Sequence, residues 1–428
     1  MIQIYKYNEI EADKIFARDE KTMDVSAVVS DIINDVKENG DEAIRRYAMK
    51  FDQTELKELE VTKEERQACL DAVGDYFVQI LKDASANIRA FHEKQKKNDF
   101  SVTERRGVIL GQRYLPLDRV GIYVPGGTAS YPSTVLMDCI PAKIAGVKEI
   151  VMVTPVKDGK LNNEVIAAAE VAGVDRIFKI GGAQAIAALA YGTASVPRVD
   201  KIVGPGNVFV AEAKRQVFGK VSIDMVAGPS EILVIADAKS DPEIIAADML
   251  SQAEHDKLAS AVLVTDSEKL ANDVAGEIEK QLQVLPREEI ARISIDNNGK
   301  IIVAEDLFEA VEISNEIAPE HLEIYVDEPF LYLPEIRHAG SVFLGRNAPE
   351  ALGDYFAGPN HTLPTSGTAK FSSPLSVDDF VKKSSYTYYT KEALALEADR
   401  IAEFARREGL EGHARSALIR GRKEKGNE

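Results

Sequence analysis

Apolar positions recur at helical spacing near the start of the chain: Val25, Val28, Val29, Ile32, Ile33 and Val36. Asn39-Gly40 is the expected stop of that helix. Residues 62–98 carry a second long amphipathic pattern, and Thr62 with Glu65 predicts a capping box at its start. At Arg119 the texture changes. RVGIYVPGG is a short apolar run closing on Pro-Gly-Gly, and strands and helices alternate after it. EIVMVTP, RIFKIGG, DKIVGPG, VSIDM and SEILVIAD read as strands; NNEVIAAAEVAG, AQAIAALAYG and NVFVAEAKRQVFG read as helices. A second alternating stretch begins at Asp241-Pro242-Glu243, a helix start with an N-cap, a proline at the first helical position and an early acid. Strands ASAVLVT, IIVA, HLEIYV and GSVFLG follow, with helices SEKLANDVAGEIEKQL and LFEAVEISNEI between them. Beyond residue 376 the chain reads as helical, most clearly in ALALEADRIAEFARREG. Alternation of this kind predicts right-handed βαβ units and parallel sheets, here in two successive α/β halves.

Length and composition narrow the class. At 428 residues the chain is long enough for several domains, and 45% hydrophobic residues is ordinary for a globular protein. A net charge of −18 disfavours nucleic acid and anionic membrane, whose phosphates attract basic surfaces. Two distant cysteines, Cys69 and Cys139, make no disulfide framework. No stretch has the length of a signal-peptide core or a membrane span, so a cytoplasmic protein is expected.

Candidate chemistry gathers around a few of the six histidines. His92 and His338 sit in charged or strand-flanking segments and read as structural or solvated. His255 lies in AADMLSQAEHD, with Gln252 one turn earlier. A neutral amide oxygen is a weak ligand, so spacing does not by itself select Gln252. Asp354 and His361 lie in LGDYFAGPNHTLPTSGTAKFSSP, a loop of a length that is usually functional or disordered, with Tyr355 and Phe356 arguing against disorder. Glu320-His321 precedes a strand, which suits acid/base work, although a surface turn is the commoner meaning. Glu408 and His413 lie in RREGLEGHARSALIR; they are a polar helix end or the remote completion of a site. Mixed nitrogen and oxygen donors suit a catalytic zinc, but the spacing matches no tight zinc motif. Gly181-Gly182 and Gly204-Pro205-Gly206 follow strands and open helices, a geometry that admits phosphate, yet neither completes the dinucleotide fingerprint. Cys139, among apolar neighbours in VLMDCIPAK, reads as inert packing.

The segments VGIYVPGG, KIGGAQAIAALAYGT, KIVGPGNVFVAEAKRQV, DMVAGPSEILVIAD, DMLSQAEHD, IAPEHLE, GDYFAGPNHTLPTSGTAKFSSPLSVDDF and EGLEGHARSALIRG occur in that order across residues 119–421. Together they resemble the histidinol dehydrogenase family; the N-terminal third resembles it more weakly. The resemblance implies oxidation of L-histidinol through L-histidinal to L-histidine with two NAD and one zinc per subunit. It places the zinc on Gln252, His255, Asp354 and His413, and the catalytic pair on Glu320 and His321. Substrate contacts fall on Ser230, Gln252, His255, His321, Asp354, His361, Glu408 and His413, and NAD contacts on Tyr123, Gln184 and Asn207.

The expected fold class is thus α/β, two Rossmann-like parallel-sheet domains with helical N-terminal and C-terminal segments. Expected boundaries are an N-terminal helical segment over 1–20 and a larger α/β domain over 21–119 plus 236–376 carrying the metal and catalytic residues. An NAD-binding domain over 120–235 and a helical segment over 377–428, swapped onto a partner in a homodimer, complete the set. Two other functions compete: the same scaffold acting on another small polar alcohol such as a sulfonated diol, and a non-enzymatic ligand-binding relative. Intact Glu320, His321 and all four ligand positions argue against the latter.

Overall fold

The computed structural model describes residues 2–9, 24–126 and 131–421. They form two compact units: residues 1–95 with 117–380, and residues 96–116 with 381–428.

The larger unit is built on two all-parallel sheets, as the alternation predicts. One has six strands in the order Gln3–Lys6, Lys300–Val303, Ser260–Thr265, Glu231–Ala236, His321–Tyr325 and Ser341–Leu344. The other has five, in the order Arg176–Phe178, Glu149–Val153, Arg119–Tyr123, Lys201–Val203 and Ser222–Ile223. Helices cover both faces of each sheet, so central strands are buried on both sides. That is why Glu231–Ala236 and Glu149–Val153 read as continuous apolar runs without alternation.

The two long N-terminal helices belong to the five-stranded sheet. Ser26–Asp52 packs with Gly182–Tyr191 and Val208–Val217 on one face, and Lys63–His92 with Pro132–Ala145 and Asn163–Ala172 on the other. The grouping of residues 21–119 with 236–376 is therefore not how the chain packs. The switch between faces is made by residues 53–62, where Glu60 bridges Phe178 at the sheet edge and the Lys179 N–H donates to the Leu59 carbonyl at 2.7 Å. An amphipathic pattern gives a helix its apolar stripe but not the address of the sheet that receives it. The expected boundary at 235/236 likewise cuts the Glu231–Ala236 strand, which lies wholly in the six-stranded sheet.

Local signals fare better. Thr62 and Glu65 form the capping box, with the Glu65 N–H donating to the Thr62 hydroxyl at 3.2 Å. Gly40, at φ +52°, interrupts the first helix as Asn39-Gly40 predicts, but a second helical run continues directly from it.

Helix was expected over residues 1–20 and over 377–428. Gln3–Lys6 is instead an edge strand, and residues 10–23 lie outside the described residues. Val381–Tyr389 pairs antiparallel with Val108–Pro116, which also pairs with Phe100–Val102. This three-stranded sheet belongs to the smaller unit, together with the helices Lys391–Arg407 and Glu411–Gly421. VKKSSYTYY is almost wholly exposed, so it shows no apolar alternation by which it could be read as a strand.

Candidate active site

The conserved geometry of open parallel sheets puts ligands beyond the carboxyl ends of strands. In the six-stranded sheet the chemistry-bearing residues gather at the opposite edge: Glu231 and His321 are the first residues of adjacent central strands. Gly340 makes room for this edge. A Cβ there would stand 2.5 Å from the Glu320 carbonyl oxygen, and the Ser341 N–H donates to that carbonyl at 2.9 Å.

His321 is 4% exposed, and its ring is fixed from one side. Nδ1 lies 3.0 Å from the Glu231 carbonyl oxygen, which can only accept, so Nδ1 carries the hydrogen. Nε2 is left as the basic nitrogen; it is buried, has no hydrogen-bond partner, and lies 3.7 Å from an Asp354 oxygen. Glu320 and Glu350 stand 3.7 and 3.8 Å from Nδ1. Burial alone would lower the imidazole's pKa, but Glu350, Glu320 and Asp354 outweigh it and hold His321 well above the usual histidine range.

The carboxylates differ in task. Glu320 accepts from the Glu231 N–H at 2.9 Å, and burial pushes its carboxyl up to about 7, in the working range of a general acid or base. Burial also lifts Glu350, to about 8, helped by Asp354 and Glu320 and opposed by His321. Asp354 behaves oppositely: burial would raise it, but the nearby imidazoles of His321, His361 and His255 bring it below the ordinary aspartate value.

Gln252 and His255 enter from the helix Pro242–Ala253. Gln252 is fully buried, and its amide is satisfied when Nε2 donates to both oxygens of Glu350, at 2.8 Å for Oε2. That orientation turns Oε1 away from Glu350. The helix ends at Ala253, so His255 is not on it; the His255 N–H closes a turn onto the Gln252 carbonyl at 3.1 Å. Gln252 and His255 are thus brought together by the turn that ends the helix, not by sharing a helical face. Burial keeps both His255 and His361 below the usual histidine value. His361 contacts Asp354 through Nδ1, 3.1 Å from its carbonyl oxygen, and Thr134 through Nε2 at 3.2 Å. A cavity of about 230 Å³ lined by His321, Phe343, Asp354, Asn360, His361 and Leu363 opens here. It is smaller than the roughly 300–1,000 Å³ of drug-sized pockets and suits a small molecule.

The structure therefore gathers Glu320, His321, Gln252, His255, Asp354 and His361 in one region, with Ser230 directly preceding the strand that carries Glu231. Glu408 and His413 lie in the smaller unit, both exposed at or after the end of Lys391–Arg407. Tyr123, Gln184 and Asn207 sit at the carboxyl edge of the five-stranded sheet. The Tyr123 hydroxyl accepts from the Gly182 N–H at 3.0 Å, and Asn207 caps its helix by accepting from the Phe209 and Val210 N–H groups. Both keep a donor for a ligand. Gln184 is buried with an unpartnered Oε1.

Sequence reasoning missed Glu350, Glu323 and Asp248. The backbone N–H of Glu350 donates to Glu323 at 2.7 Å, and Glu323 is held well above the usual glutamate value by burial and then by Asp248. One signal was available: Glu323 stands inside the otherwise apolar run HLEIYV, and a carboxylate in a doubly covered strand needs a buried partner. Cys139 is as expected. It is fully buried on Pro132–Ala145, its thiol points at the Ala172 carbonyl at 3.4 Å, and burial pushes its pKa up to about 12. Cys139→Ala should retain turnover within about threefold, since an inert thiol contributes only packing; a folded variant without activity would restore a chemical role for the thiol.

A dehydrogenase-type oxidoreductase is the class this scaffold and site define: parallel-sheet turns beside a buried, oriented imidazole and a near-neutral carboxyl. The family model for histidinol dehydrogenase matches residues 16–421. Histidinol dehydrogenase of Bacillus cereus is 56% identical over 401 residues, 94% of each chain, and that of Clostridium acetobutylicum 52% identical over 426 residues, 98% of this chain and 99% of its own. The crystal structure of histidinol dehydrogenase from Elizabethkingia anophelis superposes with a TM-score of 0.93 at 37% identity over 98% of both chains. The chain belongs to the histidinol dehydrogenase family.

Proposed function

We propose that this protein carries out the NAD-dependent four-electron oxidation of L-histidinol, through L-histidinal, to L-histidine, the last steps of histidine biosynthesis. The observation that carries this reading is the His321 ring: Nδ1 tied to the Glu231 carbonyl, Nε2 buried and free at the cavity wall. Oxidising an alcohol needs a base for the hydroxyl proton as hydride leaves the same carbon, and Nε2 is so placed. Oxidising the aldehyde needs its hydrate, and Glu320 is the group to take a proton from the attacking water. His361, together with Glu408 from a second subunit, would hold the polar ends of the substrate, and Ser230 would be a further contact.

The donor set fits a divalent cation. Asp354 keeps a lowered carboxylate among imidazoles, His255 is kept neutral by burial, and the Gln252 amide, anchored on Glu350 through its nitrogen, would offer Oε1 to the ion. His321, Glu350 and Asp354 also offer ligand atoms within 4.8 Å of one another, but Glu350 is engaged with Gln252, and the free Nε2 of His321 is the nitrogen this reading uses as the base. We therefore assign zinc to Gln252, His255 and Asp354, with His413 as the fourth ligand. Zinc would supply a template that grips the substrate's amine and imidazole, and NAD the hydride acceptor. Tyr123, Gln184 and Asn207 would face the dinucleotide.

His413 is proposed to come from a second subunit in a domain-swapped homodimer. The smaller unit exposes Phe100, Tyr388, Leu396 and Phe404, the last two 80% and 70% exposed, an apolar surface of the sort that subunit contacts cover. Among the described residues no helix is long and apolar enough to cross a membrane.

NADH formation with L-histidinol, set beside a sulfonated diol, tests the substrate. Turnover of the diol alone would reassign the enzyme. Glu320→Gln should slow oxidation of L-histidinal about 10²-fold or more, within the usual range for a lost general base, and harm alcohol oxidation less. Equal losses in separate assays of the two steps would remove Glu320 from water activation.

A further inference from the structure

A second buried charge cluster lies away from the cavity, beneath the turn that follows Lys201–Val203. Lys214 pairs with Asp224, each side chain 2% exposed, and also donates to the Gly204 carbonyl at 2.9 Å. The Gly204 N–H returns a bond to Asp224 at 2.8 Å. The turn is thus clamped through both of its backbone polar groups. Asp138, fully buried on Pro132–Ala145, lies against the same glycine. A Cβ on Gly204, at φ +110°, would stand 3.2 Å from Asp138 Oδ2 and 2.1 Å from the Tyr123 carbonyl oxygen, so only glycine allows this approach.

Asp138 also reaches the other way. Its Oδ1 accepts from the Thr362 hydroxyl at 2.9 Å, while Oδ2 is buried with no hydrogen-bond partner. Thr362 follows His361, which touches Thr134 on the same helix, and Asn360 donates to the Met137 carbonyl at 2.6 Å. Three consecutive residues of the long loop are therefore seated on one helix. Asp138 is the side chain there that also abuts the glycine turn leading to Asn207.

We propose that Asp138 is a positioning residue that ties the His361 segment to the Gly204–Asn207 turn, setting amino-alcohol and dinucleotide affinity together while touching neither ligand. The inference rests on the reading above, in which His361 faces the substrate and Asn207 the dinucleotide. Lys214 and Asp224 already balance one another. A second carboxylate beside them, with one oxygen unpartnered, costs least as the neutral acid. Burial, then Asp224, pushes Asp138 up to about 8, consistent with that form.

Equilibrium binding on the zinc-loaded enzyme tests this without turnover: NADH by fluorescence titration, and L-histidinol by calorimetry with NADH present. Losing a buried hydrogen bond of ordinary strength corresponds to roughly tenfold in affinity. Asp138→Ala should weaken both ligands about tenfold, and Asp138→Asn, neutral and still able to accept from Thr362, should restore both. Thr362→Val cuts only one arm; it should weaken L-histidinol about tenfold and leave NADH within about twofold, with Thr362→Ser restoring it. Should Asp138→Ala not fold, the Thr362 pair decides. The coupling is overturned if Asp138→Ala leaves either affinity unchanged, or if Thr362→Val leaves L-histidinol affinity unchanged while His361→Ala weakens it. If His361→Ala itself leaves L-histidinol binding intact, the assignment of His361 to substrate is what fails.

Discussion

His321→Asn is expected to lower turnover of L-histidinol by about 10²–10⁴-fold, the usual contribution of a positioned general base, while zinc content stays near one per subunit. An Asn amide can still donate to the Glu231 carbonyl that Nδ1 now contacts, so the local backbone keeps its partner. What it lacks is a basic nitrogen at the Nε2 position. The pH profile provides the second readout. Three carboxylates hold the imidazole well above its ordinary value, and only the unprotonated ring can accept the substrate proton. In the wild type, kcat/KM should therefore climb as pH rises through the His321 titration, and this acid limb should disappear in the variant. Near-normal turnover with the limb intact would take His321 out of the mechanism.

Asp354→Ala should cost zinc affinity on the order of 100-fold or more, since even residues behind the ligands are worth about 10–100-fold. Metal analysis after dialysis against a weak chelator reads this directly. Asp354 is 3.7 Å from His321 Nε2 and 3.8 Å from His361 Nδ1, so the same change removes a partner from both rings. With that carboxylate gone, one of the charges raising His321 is lost, and the acid limb should move to lower pH. Full zinc occupancy in a folded Asp354→Ala protein would contradict the ligand assignment. Glu350→Gln separates the roles: it should spare the first ligand while disturbing the Gln252 amide that Glu350 orients, giving a smaller loss, about 10–100-fold.

Several candidate residues drew attention from their local settings, although the family resemblance and not the setting gave them roles. Glu320-His321 sits at a strand start, Asp354 and His361 in a long loop, and the glycine turns after strands. Gln252 was legible only through family resemblance, because a neutral amide has no chemical signal of its own in a sequence. In the structure Glu350, almost a hundred residues away, takes the amide hydrogens of Gln252. The one signal, Glu323 inside an apolar strand, went unread, and Glu350 and Asp248 escaped notice since acids in helices look alike in a chain this acidic. Only their burial sets them apart.

Local composition by itself encoded the elements of the two α/β halves, though not the strands Gln3–Lys6 and Val381–Tyr389: strands as buried apolar runs, helices with caps such as Thr62-Glu65 and Asp241, and the interruption at Gly40. These depend on interactions within a few residues. Long-range packing set the rest: residues 26–92 cover the five-stranded sheet, Val381–Tyr389 pairs with Val108–Pro116, and His321 faces Glu350 and Asp354. Those outcomes rest on contacts between segments far apart in the chain. An apolar stripe or a lone carboxylate specifies that it needs a partner, and packing selects which one.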